Sequence, residues 1–177
     1  MSLKKSRIIA CIGTIILAFI FHFAYEVLPN FLFSIFFPVN ESVWEHMKMI
    51  YSAIVFYGII DYFLNKKYNI GYNNFFMNIF ICAFSSIIIY LAIFLPLYYS
   101  IGESMFISIV VMVLTFIIVY TLSYFILSLD EKDYNIVWII LIILSYLVFA
   151  YLTYNPVHTQ LFFDTKDEIY GIKKEEH

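Results

Sequence analysis

The stretch Pro29 to Val39, PNFLFSIFFPV, decides how this chain is organised. It is apolar and aromatic throughout, yet its roughly ten residues are half of the ~20 that an α-helix needs to cross a ~30 Å hydrocarbon core. It therefore reads as a short interfacial or re-entrant segment. Irregular backbone at membrane depth is tolerated only where protein or water satisfies its polar groups. A crossing here would send the flanking His22 and His46 to opposite faces, whereas a segment that returns keeps them on one.

Working outward, the run before it opens after Lys4, Lys5 and Arg7 and continues to about Leu28. It is too long for the h-region of a signal peptide and no small-residue cleavage site follows, so it is read as a retained helix. Four further apolar runs follow, Glu45 to Leu64, Asn74 to Tyr98, Glu103 to Leu129 and Tyr134 to Tyr154. Their connections, Asn65 to Asn73, Tyr99 to Gly102 and Asp130 to Asp133, are short, which makes successive helices antiparallel neighbours. Gly71 and Gly102 read as turn residues. The expectation is an all-α polytopic membrane bundle of about five transmembrane helices, occupying residues 1–154, with a polar tail over 155–177.

Composition agrees. Residues are 63% hydrophobic and 13% charged, against about 25% charged in an ordinary soluble domain. A net charge of -3 without a dense Lys/Arg run argues against nucleic-acid partners. Cys11 and Cys82 lie inside apolar runs, where a thiol behaves as a small hydrophobe. Lys4, Lys5, Arg7, Lys66, Lys67 and Lys132 fall on one side, and Lys48, Lys166, Lys173 and Lys174 on the other. That bias places the N-terminus in the cytoplasm and the tail outside. The richness in Ile, Phe, Tyr, Asn and Lys suggests an AT-rich bacterial genome, hence a bacterial cytoplasmic membrane. Tyr25, Trp44, Tyr98 and Tyr99 would form one aromatic belt, and Tyr68, Tyr72, Tyr134 and Trp138 the other.

An odd number of spans brings the end of the first, the start of the second and fourth, and the end of the fifth to one face. There lie His22 and Glu26, then Asn40, Glu41, Ser42, Glu45 and His46, then Glu103, then His158 and Asp164. The opposite face holds Asp61 and the Asp130 to Asp133 loop but no histidine. Counted from Arg7, His22 should sit about two-thirds of the way across the hydrocarbon, where an ionisable group needs a partner. Helical spacing would put Glu41 and Glu45 on one face, with Ser42 and His46 on the adjacent one. Ser42 with Glu45 also reads as a capping box, which leaves His46 without an explanation. Pro156 ends the last span, and Leu161, Phe162 and Phe163 can fold the tail back to bring Asp164 to the same mouth. The alternative is a loose tail with a solvated His158. His177 has no assigned role.

The segment Asn40 to Lys48 (NESVWEHMK), preceded by the aromatic helix carrying His22 and closed by the Pro156 turn and Tyr170-Gly171, resembles a family of small bacterial multi-pass membrane proteins. NESVWEH is the specific part. The resemblance implies the architecture and no particular activity.

The leading functional expectation is a metal-dependent membrane hydrolase. His22, His46 and His158 would hold a divalent metal such as Zn, Glu41 or Glu45 would act as general base or fourth ligand, and Glu26, Asn40 and Asp164 would support them. The substrate, small molecule, lipid or peptide, is open. A solute or cation transporter or binding subunit is the second class. Five glycines, four prolines, only Pro96 well inside a span, and no internal repeat speak against broken helices of the usual transporter kind. A purely structural hydrogen-bond network is the third, although interhelical polar contacts contribute only on the order of 1 kcal/mol each.

Overall fold

The computed structural model describes residues 1–70, 73–102, 104–132 and 134–173. Gly71, Tyr72, Glu103, Asp133, Lys174 and His177 lie outside the described residues. The chain is an all-α helix bundle: α1 Leu3–His22, α2 Ala24–Val27, α3 Phe31–Phe36, α4 Val43–Lys67, α5 Phe75–Ile101, α6 Met105–Leu127 and α7 Asn135–Tyr154. A 3-10 turn, Gln160–Phe162, leads into a small hairpin of β1 Phe163–Asp164 and β2 Ile169–Tyr170, paired antiparallel.

α4 to α7 are each long and apolar enough to cross a membrane, as a multi-pass membrane protein requires. α1 is a fifth long helix of a different kind. Lys4, Lys5 and Arg7 occupy its first turns, and the apolar run Ile8 to Phe21 that remains covers only about 20 Å at 1.5 Å per residue. The expected first span to Leu28 is thus corrected: α1 stops at His22, and α2 continues separately to Val27. Pro29 disfavours helical backbone at Leu28, which takes φ -134 and ψ 74.

α1 runs antiparallel to α4, with Arg7 against Asp61 at one end and His22 beside His46 at the other. α4 is the central helix and α7 the peripheral one, 67% and 11% buried over their apolar windows. Close approach of α1 to α4 depends on Gly13, where an added Cβ would lie 2.1 Å from the Tyr57 ring. The outward faces carry exposed Ile, Leu and Phe, as suits helices solvated by lipid tails.

The Pro29 to Val39 segment does not cross the bundle but returns the chain to the end at which α1 stops. Phe31 and Leu32 are exposed, Ser34 and Phe37 are buried, and Phe36 packs edge-on against Tyr146 of α7 and Phe56 of α4. Pro38 ends α3 and has no N–H, so the Ser34 carbonyl lacks its helical partner. The Lys48 ammonium donates to that carbonyl at 2.7 Å. On the return limb, the Val39 N–H donates to Glu45 Oε2 at 3.1 Å. The segment therefore meets the membrane's demand for satisfied backbone through one pair of side chains on α4.

That pair is fully buried. Lys48 Nζ lies 2.5 Å from Glu45 Oε2, with side-chain exposures of 0% and 2%. Thr153 of α7 closes the ring, accepting from Lys48 at 2.9 Å and donating to Glu45 Oε1 at 3.0 Å. At the opposite end of the bundle, Arg7 pairs with Asp61 and donates to Ser6 and Ser123, and Asn65 bonds both Ser6 and Asp61. Arg7 and Lys48, read above as orientation charges, are thus interior hydrogen-bonding groups.

Candidate metal centre

Three segments deliver the site. α1 ends on His22, the Asn40 to Ser42 turn carries Glu41, and the first turn of α4 carries His46. Ser42 is the N-cap of α4, and its hydroxyl accepts from the Glu45 N–H at 3.4 Å. The second half of the expected capping box is absent. The Ser42 N–H donates to Asn40 Oδ1 at 2.9 Å, and Glu45 turns inward to Val39 and Lys48 instead.

Because α4 starts at Val43, Glu41 precedes the helix and helical spacing does not apply to it. This overturns the shared face expected for Glu41 and Glu45. Glu41 turns to the histidines: its Oε1 lies 3.6 Å from His22 Nε2 and its Oε2 lies 3.5 Å from His46 Nε2. The two imidazoles stack at 5.5 Å between centroids, 28° apart. One ligand atom from each of His22, Glu41 and His46 lies within 4.8 Å of the others, and no other such group occurs among the described residues. All three are partly exposed and lie at one end of the bundle, with His22 at the C-terminal end of α1.

The donor set fits a divalent ion. Two imidazoles and a carboxylate are the ligand types zinc takes, and Glu41 reaches one histidine with each of its oxygens while the three ligand atoms lie within 4.8 Å of one another. His46 Nδ1 lies 3.0 Å from the Ser42 carbonyl. A carbonyl only accepts, so Nδ1 carries a proton and donates it to Ser42, which leaves Nε2 as the ring nitrogen facing Glu41. A backbone carbonyl holding the far ring nitrogen in this way is the usual orienting contact of a metal-bound histidine.

The tail docks over this mouth. Asp164 is 1% exposed. Its Oδ2 accepts from the Glu41 N–H at 2.8 Å, and its Oδ1 accepts from the Lys166 and Asp167 N–H groups. Asn40 donates to the Gly171 carbonyl at 2.8 Å. Phe162 stacks on Trp44 at 4.7 Å, and Gln160 donates to the Tyr98 hydroxyl at 3.2 Å. Trp44 is therefore under the tail. Beneath it, a cavity of about 30 Å³, lined by Glu41 and His46 together with Tyr90, Tyr98, Ser108 and Gln160, has room for water.

Two expected site residues stand apart. His158 is exposed and stacks on Tyr170 at 4.6 Å, outside the cluster, because Pro156 turns it onto the hairpin. Glu45 has both oxygens engaged by Lys48, Val39 and Thr153 and faces away from the histidines. Glu26 is exposed on α2, near enough to act on His22 electrostatically, as is Lys166. Asn40 and Asp164 support the Glu41 turn and the tail. Missed were Lys48, Thr153 and Ser34, of which only Lys48, three residues after Glu45, had a visible signal.

No curated protein and no solved structure matches the chain. The model of a family of unknown function, DUF6512, matches residues 1–172, nearly the whole sequence, and the chain belongs to that family.

Proposed function

We propose that this membrane protein is a metal-dependent hydrolase in which His22, Glu41 and His46 hold a divalent ion such as zinc at the tail-covered mouth of the bundle. The observation that carries the reading is the convergence of three ligand atoms from three chain segments, joined by the Ser42 contact that aims His46 Nε2 at the centre. A bound ion there would supply Lewis acidity, polarising an ester, amide or phosphoryl oxygen and making water nucleophilic near neutral pH. The protein's own part is positioning. Asp164 fixes the backbone of Glu41, and the small cavity beside Glu41 and His46 admits water.

The exposed Lys4, Lys5, Lys66, Lys67 and Lys132 still outnumber the lysines of the tail once Arg7 and Lys48 are set aside. We therefore place this mouth on the non-cytoplasmic side of a bacterial cytoplasmic membrane.

The test is elemental analysis and zinc titration of the purified protein in detergent. One bound ion per chain is expected, with affinity falling tenfold or more in each of His22→Ala, Glu41→Gln and His46→Ala. A folded protein that binds no transition metal, or keeps full affinity in all three variants, would end the proposal.

A further inference from the structure

We infer that the groove between α1 and α6, at the end of the bundle away from the histidines, binds one acyl chain of an anionic glycerophospholipid whose phosphate sits at Lys4. The groove has a volume of about 600 Å³ and is lined by Ile8, Ile12 and Ile15 of α1 and by Ile117 and Phe125 of α6. That is within the range of small-molecule sites, ~300–1,000 Å³. Ile8 to Ile15 runs about 10 Å along α1, an apolar trough along two lipid-facing helices. Within a bilayer such a trough does not stay empty, because unfilled apolar walls forfeit their dispersion contacts, and lipid tails surround it.

A bare trough would take any tail. The polar end supplies the selection. Lys4 and Arg7 line the groove one turn apart at its outer end, and no carboxylate lines it. Arg7 is already neutralised by Asp61, so Lys4, which is exposed, is the cation left for a phosphate. A basic end joined to an apolar trough is complementary to an anionic lipid and to no neutral one in particular.

The experiment places the full chain in nanodiscs of equal parts phosphatidylcholine and phosphatidylglycerol, transfers it to mild detergent, and identifies retained lipid by native mass spectrometry. Phosphatidylglycerol should be retained about fivefold over phosphatidylcholine, the equivalent of the ~1 kcal/mol that one lysine contributes at an anionic surface. Lys4→Gln should remove the preference, and Ile12→Trp, which fills the trough, should lower retention of both lipids. Both positions are exposed, so neither substitution threatens the fold, and circular dichroism checks this. Equal retention of the two lipids, or a preference that survives both substitutions, would overturn the inference. The metal reading is untouched by either outcome.

Discussion

Replacing Lys48 with Met tests whether Glu45 belongs to the fold or to the chemistry. Lys48 Nζ makes three contacts, to Glu45 at 2.5 Å, to the Ser34 carbonyl at 2.7 Å and to Thr153 at 2.9 Å. Without them, a carboxylate that is 2% exposed faces no cation. The Ser34 carbonyl is also orphaned, since Pro38 has no N–H to offer. Breaking a buried pair from one side costs about 3–5 kcal/mol, of which an unsatisfied carbonyl accounts for about 1–3 kcal/mol. Adding Glu45→Gln removes the stranded charge but keeps an oxygen for the Val39 N–H. The double variant should therefore recover about 2 kcal/mol of the loss, the part not owed to the Ser34 carbonyl, so the two sites should be coupled by at least about 2 kcal/mol. Unfolding by SDS from mild detergent micelles, followed by circular dichroism, gives the four free energies of the cycle. Zinc stoichiometry on the same samples should be unchanged in the folded double variant. Additive single effects, with coupling below about 0.5 kcal/mol, or loss of zinc in the double variant, would refute the structural role.

Asp164→Ala frees the Glu41 N–H and two amides of the hairpin turn, and should weaken zinc about tenfold, as loss of an orienting contact does; competition with a chromophoric chelator measures it. His158→Ala should leave zinc affinity and stoichiometry unchanged in the same assay, since His158 stacks on Tyr170 away from the cluster. Gly13→Ala drives a methyl into the Tyr57 ring and should cost about 1–3 kcal/mol of overpacking in the SDS assay, with recovery when Tyr57→Leu is added.

Hydropathy alone set out four of the long helices to within a few residues at most ends, because each is an uninterrupted apolar run bounded by polar turns. The meeting of His22 with His46 was legible too. It follows from α1 and α4 being consecutive long helices joined by a Pro29 to Val39 segment too short to cross. What failed was helical phase at the start of α4. The expected pairing of Glu41 with Glu45 assumed a helix running through both, but the Ser42 cap starts it between them. One carboxylate then goes to the mouth and the other to the core. Arg7 and Lys48 were misread for a different reason. A cation near a span end has the same sequence signature whether it is solvated or paired inside; Arg7's carboxylate, Asp61, and the Thr153 that completes the Lys48 ring come from other helices. His158 depended on the direction in which the chain leaves Pro156, which no spacing rule specifies.

The buried pair also raises the question of whether Glu45 and Lys48 matter as opposite charges or as backbone partners of the Pro29 to Val39 segment. Exchanging them, Glu45→Lys with Lys48→Glu, separates the two. Coulomb attraction alone is indifferent to the order of the charges, so a pure ion-pair role has the exchange near wild-type stability. The hydrogen bonds are not indifferent. After exchange a carboxylate would face the Ser34 carbonyl and an ammonium would face the Val39 N–H, an acceptor against an acceptor and a donor against a donor. Two buried backbone groups would lose their partners at about 1–3 kcal/mol each, so the exchanged protein should be about 2–6 kcal/mol less stable, comparable with Lys48→Met. The segment should loosen with it, seen as faster hydrogen exchange at Val39 in detergent. Because this segment returns the chain from His22 to Glu41 on the same face, zinc affinity should fall as well. Wild-type stability in the exchanged variant would show that the pair serves the bundle through charge alone, and that the returning path is held by its aromatic packing against Phe56 and Tyr146.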